Sequence, residues 1–148
     1  MKKIIFTVLI AISSTIAIAQ TDNSAEHTNL KNGIAIQGYD PVAYFTVSKP
    51  TPGDKTIQAT YEGATYYFTS QENKDAFTKN PEQYVSQYGG FCAYGMSEGY
   101  KAPVKPEAFT IVNNKLYLNY NLKVREDWSK NKEARIEKAT VNWEKIKK

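Results

Sequence analysis

Thr56-Ile57-Gln58-Ala59-Thr60-Tyr61 and Thr65-Tyr66-Tyr67-Phe68 stand on either side of Glu62-Gly63-Ala64. Both runs are rich in β-branched and aromatic side chains, which suit a pleated, half-buried surface, and the gap has the size and glycine content of a hairpin loop. Residues 56–68 therefore predict a β-hairpin. On its second strand, Tyr66 and Tyr67 face opposite sides.

Toward the C-terminus, Ser70 has the character of a helix N-cap, with Glu72 in the first turn, and predicts a helix that carries Phe77 inward and ends near Asn80. Asn80-Pro81-Glu82-Gln83 then supplies a cap, a first-turn proline and an amide three residues on, predicting a further helix with Tyr84 and Tyr88 on one face until Gly89-Gly90 stops it. Phe91 to Ser97 reads as a buried helical turn or two, which would place Cys92 and Met96 on the same side at a spacing of four. A second hairpin follows, Phe109-Thr110-Ile111-Val112 and Leu116-Tyr117-Leu118-Asn119-Tyr120 around Asn113-Asn114-Lys115. From Leu122 to Ile146 the pattern is amphipathic helix, with Trp128, Ile136 and Trp143 as anchors.

Toward the N-terminus, residues 34–45 predict strand, turn and a short helix or strand around Gly38 and Asp40-Pro41. Asp40 before proline is foremost a turn former, with an acid–base or metal role as the alternative. Residues 20–32 are polar and predict a flexible tail. Residues 1–19 have the order of a cleavable signal peptide: Lys2-Lys3, an uncharged apolar run, and Ala17-Ile18-Ala19. A retained anchor is disfavoured because Thr7, Ser13, Ser14 and Thr15 dilute the run, which falls short of the roughly 20 apolar residues of a spanning helix. No membrane span is expected after cleavage, and the mature protein is expected in the periplasm or the external medium.

The order of hairpin, helices, hairpin, helices predicts a small α+β domain over residues 33–148, two hairpins packed with short central helices and a C-terminal helical segment. The chain has 148 residues. Losing 19 leaves 129, enough for one domain, and losing Lys2 and Lys3 takes the formal net charge from +4 to +2. That mixed, weak charge excludes a nucleic-acid-binding field. All eleven tyrosines lie between Tyr39 and Tyr120, where their rings can fill a small core with hydroxyls at its edge.

Cys92 is the only cysteine and His27 the only histidine. An internal disulfide is therefore impossible, and zinc, iron–sulfur and haem sites, which need several such ligands or a Cys-x-x-Cys-His run, are excluded. Gly89-Gly90 lacks the spacing and the Lys-Ser/Thr of a phosphate loop. What remains is a soft site. A Cys92 thiolate and a Met96 thioether favour Cu(I), with His27 or a second copy of the chain completing the coordination, which would make a metal-linked homodimer. Against this, a lone cysteine is also a small core hydrophobe, Met96 core filler, and His27 a solvated tail residue.

Gly38-Tyr39-Asp40-Pro41-Val42-Ala43-Tyr44-Phe45, Tyr66-Tyr67-Phe68-Thr69-Ser70, Asn80-Pro81-Glu82-Gln83-Tyr84 and Tyr88-Gly89-Gly90-Phe91-Cys92-Ala93-Tyr94, in that order, resemble the exported YHS-domain proteins. The resemblance runs from about Gly33 to Trp143 and implies an association with heavy metals. No histidine stands in the Tyr66–Ser70 motif, and Ala43 stands where short members carry a cysteine after Asp-Pro-Val. Cys92 is thus the metal ligand the resemblance leaves. The leading expectation is an exported, non-enzymatic carrier of a soft metal, serving the ion itself or a metal-handling protein. A tyrosine-lined interaction or small-ligand module is the alternative, and a thiol redox protein the third.

Overall fold

The computed structural model describes residues 23–148; the predicted signal peptide lies outside them. A 3-10 turn, Asn23–His27, leads into β1 (Leu30–Lys31) and β2 (Ile34–Ala35). α1 (Ala43–Thr46), β3 (Asp54–Tyr61), β4 (Ala64–Phe68) and α2 (Gln71–Lys79) follow. Then come α3 (Ala93–Ser97), β5 (Lys105–Val112), β6 (Lys115–Asn119), α4 (Leu122–Ser129) and α5 (Lys132–Ile146). The fold is α+β, with a four-stranded sheet ordered β1-β2-β4-β3 and a separate β5-β6 hairpin. No helix among the described residues is long and apolar enough to cross a membrane.

Both predicted hairpins form. Their tips, Glu62-Gly63 and Asn113-Asn114, have positive φ at both residues, the backbone twist that matches right-handed strands. On β4 the alternation places Ala64, Tyr66 and Phe68 in the core and leaves Tyr67 half-buried.

The N-terminal segment differs from the expected loose tail. Asn32-Gly33, with φ 55° and 78°, turns β1 back onto β2, and β2 then pairs in parallel with β4 at Ile34 and Thr65. Asparagine and glycine both tolerate the left-handed backbone this turn requires. What holds the segment down is the Gly89-Gly90 turn. The Asn29 amide donates to the Gly89 carbonyl at 2.8 Å, and Asn29 Nδ2 donates to the Gly90 carbonyl at 3.0 Å. A Cβ on Gly89 would collide with the His27 carbonyl oxygen.

The helix predicted after Pro81 shrinks to two 3-10 turns, Pro81–Gln83 and Gln87–Gly90. Ser86 between them is extended and bridges to Leu116 of β6, and Tyr88 is left-handed, so long-range pairing overrides the local helical pattern. Tyr84 and Tyr88 consequently part: Tyr84 packs edge-on against Phe45, and Tyr88 stands tilted against Tyr117.

Side chains separate into two clusters. Tyr44, Phe68, Phe77, Cys92, Leu116 and Leu118 belong to the first, under the four-stranded sheet and α2. Met96, Tyr88, Tyr117, Trp128 and Ala139 belong to the second, under α4 and α5. β6 serves both, since strand alternation sends Leu116 and Leu118 one way and Tyr117 the other. Trp128 has no exposed surface, and burying such a ring contributes about 3 kcal/mol.

Asp40 ties the first cluster together. Its Oδ1 accepts from the amides of Val42 (2.8 Å) and Ala43 (3.3 Å). Its Oδ2 accepts from the Thr69 amide (2.8 Å), Thr69 Oγ1 (2.7 Å) and Asn73 Nδ2 (2.7 Å). The turn reading of Asp-Pro thus describes a buried carboxylate that joins the start of α1 to the exit of β4 and the first turn of α2.

Candidate functional site around Cys92

Cys92 precedes α3 as its N-cap, with φ −57° and ψ 120°. Its Sγ accepts from the Gly95 amide at 3.5 Å and donates to Asn119 Oδ1 at 3.6 Å. The same Asn119 oxygen accepts from the Tyr94 amide at 3.1 Å. Asn119 is fully buried, and its Nδ2 has no hydrogen-bond partner.

Cys92 borders a cavity of about 300 Å³, with Tyr94, Gly95, Tyr100, Ala102 and Tyr120 among its lining. Cys92 itself is only 2% exposed, whereas Tyr100 and Tyr120 are 53% and 51% exposed. The tyrosines form the mouth and the thiol the floor. Gly95 lets α3 pack closely on the far wall: a Cβ there would stand 3.0 Å from the Tyr100 ring and 3.2 Å from the Ala102 methyl. Behind the wall, the Arg135 guanidinium stacks on Tyr94 at 3.8 Å from the ring centroid. One nitrogen of that group donates to Ser97 Oγ and Glu98 Oε1, both at 2.9 Å, so Tyr94 is clamped.

The three donors expected from the sequence line no common cavity. Met96 belongs to the second cluster and is fully buried, while Cys92 belongs to the first. The spacing of four fails to put them on one side because Cys92 is the cap, outside the helical backbone to which that rule applies. His27 lines another cleft, its ring edge-on to Trp143 with centroids 6.4 Å apart, and its Nδ1 is buried without a partner. Among the described residues, no group of three or more His, Cys, Asp or Glu side chains could hold a metal ion.

Sequence reasoning missed Asn119 and Arg135. An asparagine closing the apolar run Leu116-Tyr117-Leu118 was the available signal, since a polar residue in a doubly buried strand must find partners. Arg135 sits in a charged helix and gave none.

The fold and the cavity together define a small α+β domain with a thiol-floored, tyrosine-rimmed pocket. Residues 42–88 match the YHS domain, a family associated with heavy-metal handling. The match begins just after Asp40-Pro41 and ends at Tyr88, so Cys92, Met96 and His27 all lie beyond it. No curated protein and no solved structure matches the chain.

Proposed function

We propose that the chain is an exported, non-enzymatic binding protein that receives a small, largely apolar ligand in the Cys92 cavity. The observation that carries this is the cavity itself, about 300 Å³ in volume, with Cys92 at its floor and half-exposed Tyr100 and Tyr120 at its mouth. Its volume lies at the small end of ligand sites, and amphipathic tyrosines at an opening tolerate both the empty and the filled state. Export rests on the signal-peptide pattern of residues 1–19.

The second reading is a soft-metal carrier, Cu(I) foremost, favoured by the YHS match and by the thiol's place on a cavity wall. Cys92 would then have to give up its proton and its bond to Asn119, and Met96 or His27 would have to leave its present packing. A Cys92 from a second copy is the other route, with metal-driven dimerisation as its signature.

Two parallel titrations separate the readings, one with a fluorescent anilinonaphthalene sulfonate, an anion with a large apolar ring system, and one, anaerobic, with Cu(I). In the first reading Tyr120→Ala weakens the naphthalene probe by about tenfold, and Cu(I) binds equally weakly to the wild type and Cys92→Ser. One tight equivalent of Cu(I), lost in Cys92→Ser, with probe affinity indifferent to Tyr120, would move the function to metal.

A further inference from the structure

A second cleft, of about 390 Å³, lies where four remote parts of the chain meet: the N-terminal turn, the β3–β4 hairpin, the segment Val85 to Gly89 and the end of α5. It shares no lining residue with the Cys92 cavity. Tyr61, Tyr66 and Trp143 give it aromatic walls. Three groups of complementary chemistry also line it. His27 brings a buried Nδ1 with no hydrogen-bond partner, Glu62 an acid, and Lys147 a base.

Glu62 stands within hydrogen-bonding reach of the neighbouring Tyr61 hydroxyl, an interaction that a ligand would have to displace. A buried ring nitrogen without a partner is a cost that a ligand can remove. Glu62 is exposed at the hairpin tip, where its φ of 46° follows from the turn. Lys147 Nζ meets Glu144 at 2.7 Å, but both side chains are well exposed, and such pairs hold weakly enough for the ammonium to swing toward a ligand.

We propose that this cleft binds a free aromatic amino acid as its zwitterion. The ring lies among Tyr61, Tyr66 and Trp143. The carboxylate accepts from Lys147 and from His27 Nδ1–H, and the ammonium donates to Glu62. Aromatic walls alone would take any flat apolar molecule; an acid and a base in the same lining select one that carries both charges.

L-phenylalanine is the probe, because it leaves tryptophan emission excited at 295 nm free to report on Trp143, and calorimetry gives an independent constant. The expected result is saturable binding below about 1 mM, with phenylacetate and phenethylamine each at least about fivefold weaker because each lacks one charge-assisted contact. Lys147→Met weakens phenylalanine and phenylacetate but spares phenethylamine; Glu62→Gln weakens phenylalanine and phenethylamine but spares phenylacetate. Both substitutions are at the surface, so an unchanged melting temperature verifies the fold, and Cys92→Ser leaves the binding as it was. No saturable binding, equal binding of the two half-charged analogues and phenylalanine, or binding of a neutral sugar in place of phenylalanine would overturn the assignment.

Discussion

Asp40 carries a full carboxylate into a site with no exposed surface, and all five of its hydrogen-bond donors are neutral. Removing the carboxylate strands two buried backbone amides at the start of α1, each a donor that costs free energy when unpaired, and frees a third amide, that of exposed Thr69 after β4. Asp40→Ala is therefore expected to lower unfolding stability by about 3 kcal/mol, read as a shift of the urea midpoint at constant slope. A midpoint that stays put would show that water replaces the carboxylate. At this scale the sequence was uneven. An aspartate before proline announces its turn through local chemistry, and a sole thiol announces itself by being alone. Asn119 announced only that it needs partners, by closing an apolar run; which partners could not be read, because Cys92 and Tyr94 are remote in the chain and meet it only when β6 packs beside α3.

Elements follow the same division between local and remote causes. The hairpins were legible because Glu62-Gly63 and Asn113-Asn114 encode their own turns, and α2 because Ser70 Oγ does accept from the Asn73 amide, at 3.1 Å. The Asn32-Gly33 turn carried an equally local signal, obscured by the polar run before it. The extended stretch at Ser86 was not readable at all, being set by its bridge to Leu116, thirty residues on. Gly89 belongs here as well: its φ of 59° and its contact with His27 join the N-terminal segment to the domain. A side chain there meets both a left-handed backbone and a carbonyl oxygen. Gly89→Ala should cost about 2 kcal/mol and speed hydrogen exchange of the Asn29 amide well beyond that of the β3–β4 hairpin amides. Equal acceleration at both places would mean that the segment and the sheet open together.

For the whole molecule, tyrosine burial sets the alkaline limit. Burial raises the hydroxyls of Tyr44, Tyr66 and Tyr88 above the ordinary value of 10.0, Tyr88 to about 12. A raised value means that the folded chain keeps protons the unfolded chain releases. The stabilisation is complete below about pH 10 and is lost as the pH climbs from there through the folded values. Melting temperature should accordingly hold level from pH 8 to about 9.5 and fall steeply above it, and Tyr88→Phe should soften the fall up to about pH 12. A decline that begins near neutrality would assign the limit to other groups. The two clusters do not open independently, because α3 stands between them: its cap Cys92 is in one, and Ala93 and Met96 are in the other. Five residues, too few to persist as a helix on their own, thereby become the part of the chain that neither half can release alone. Hydrogen exchange at the α3 amides should therefore require global unfolding.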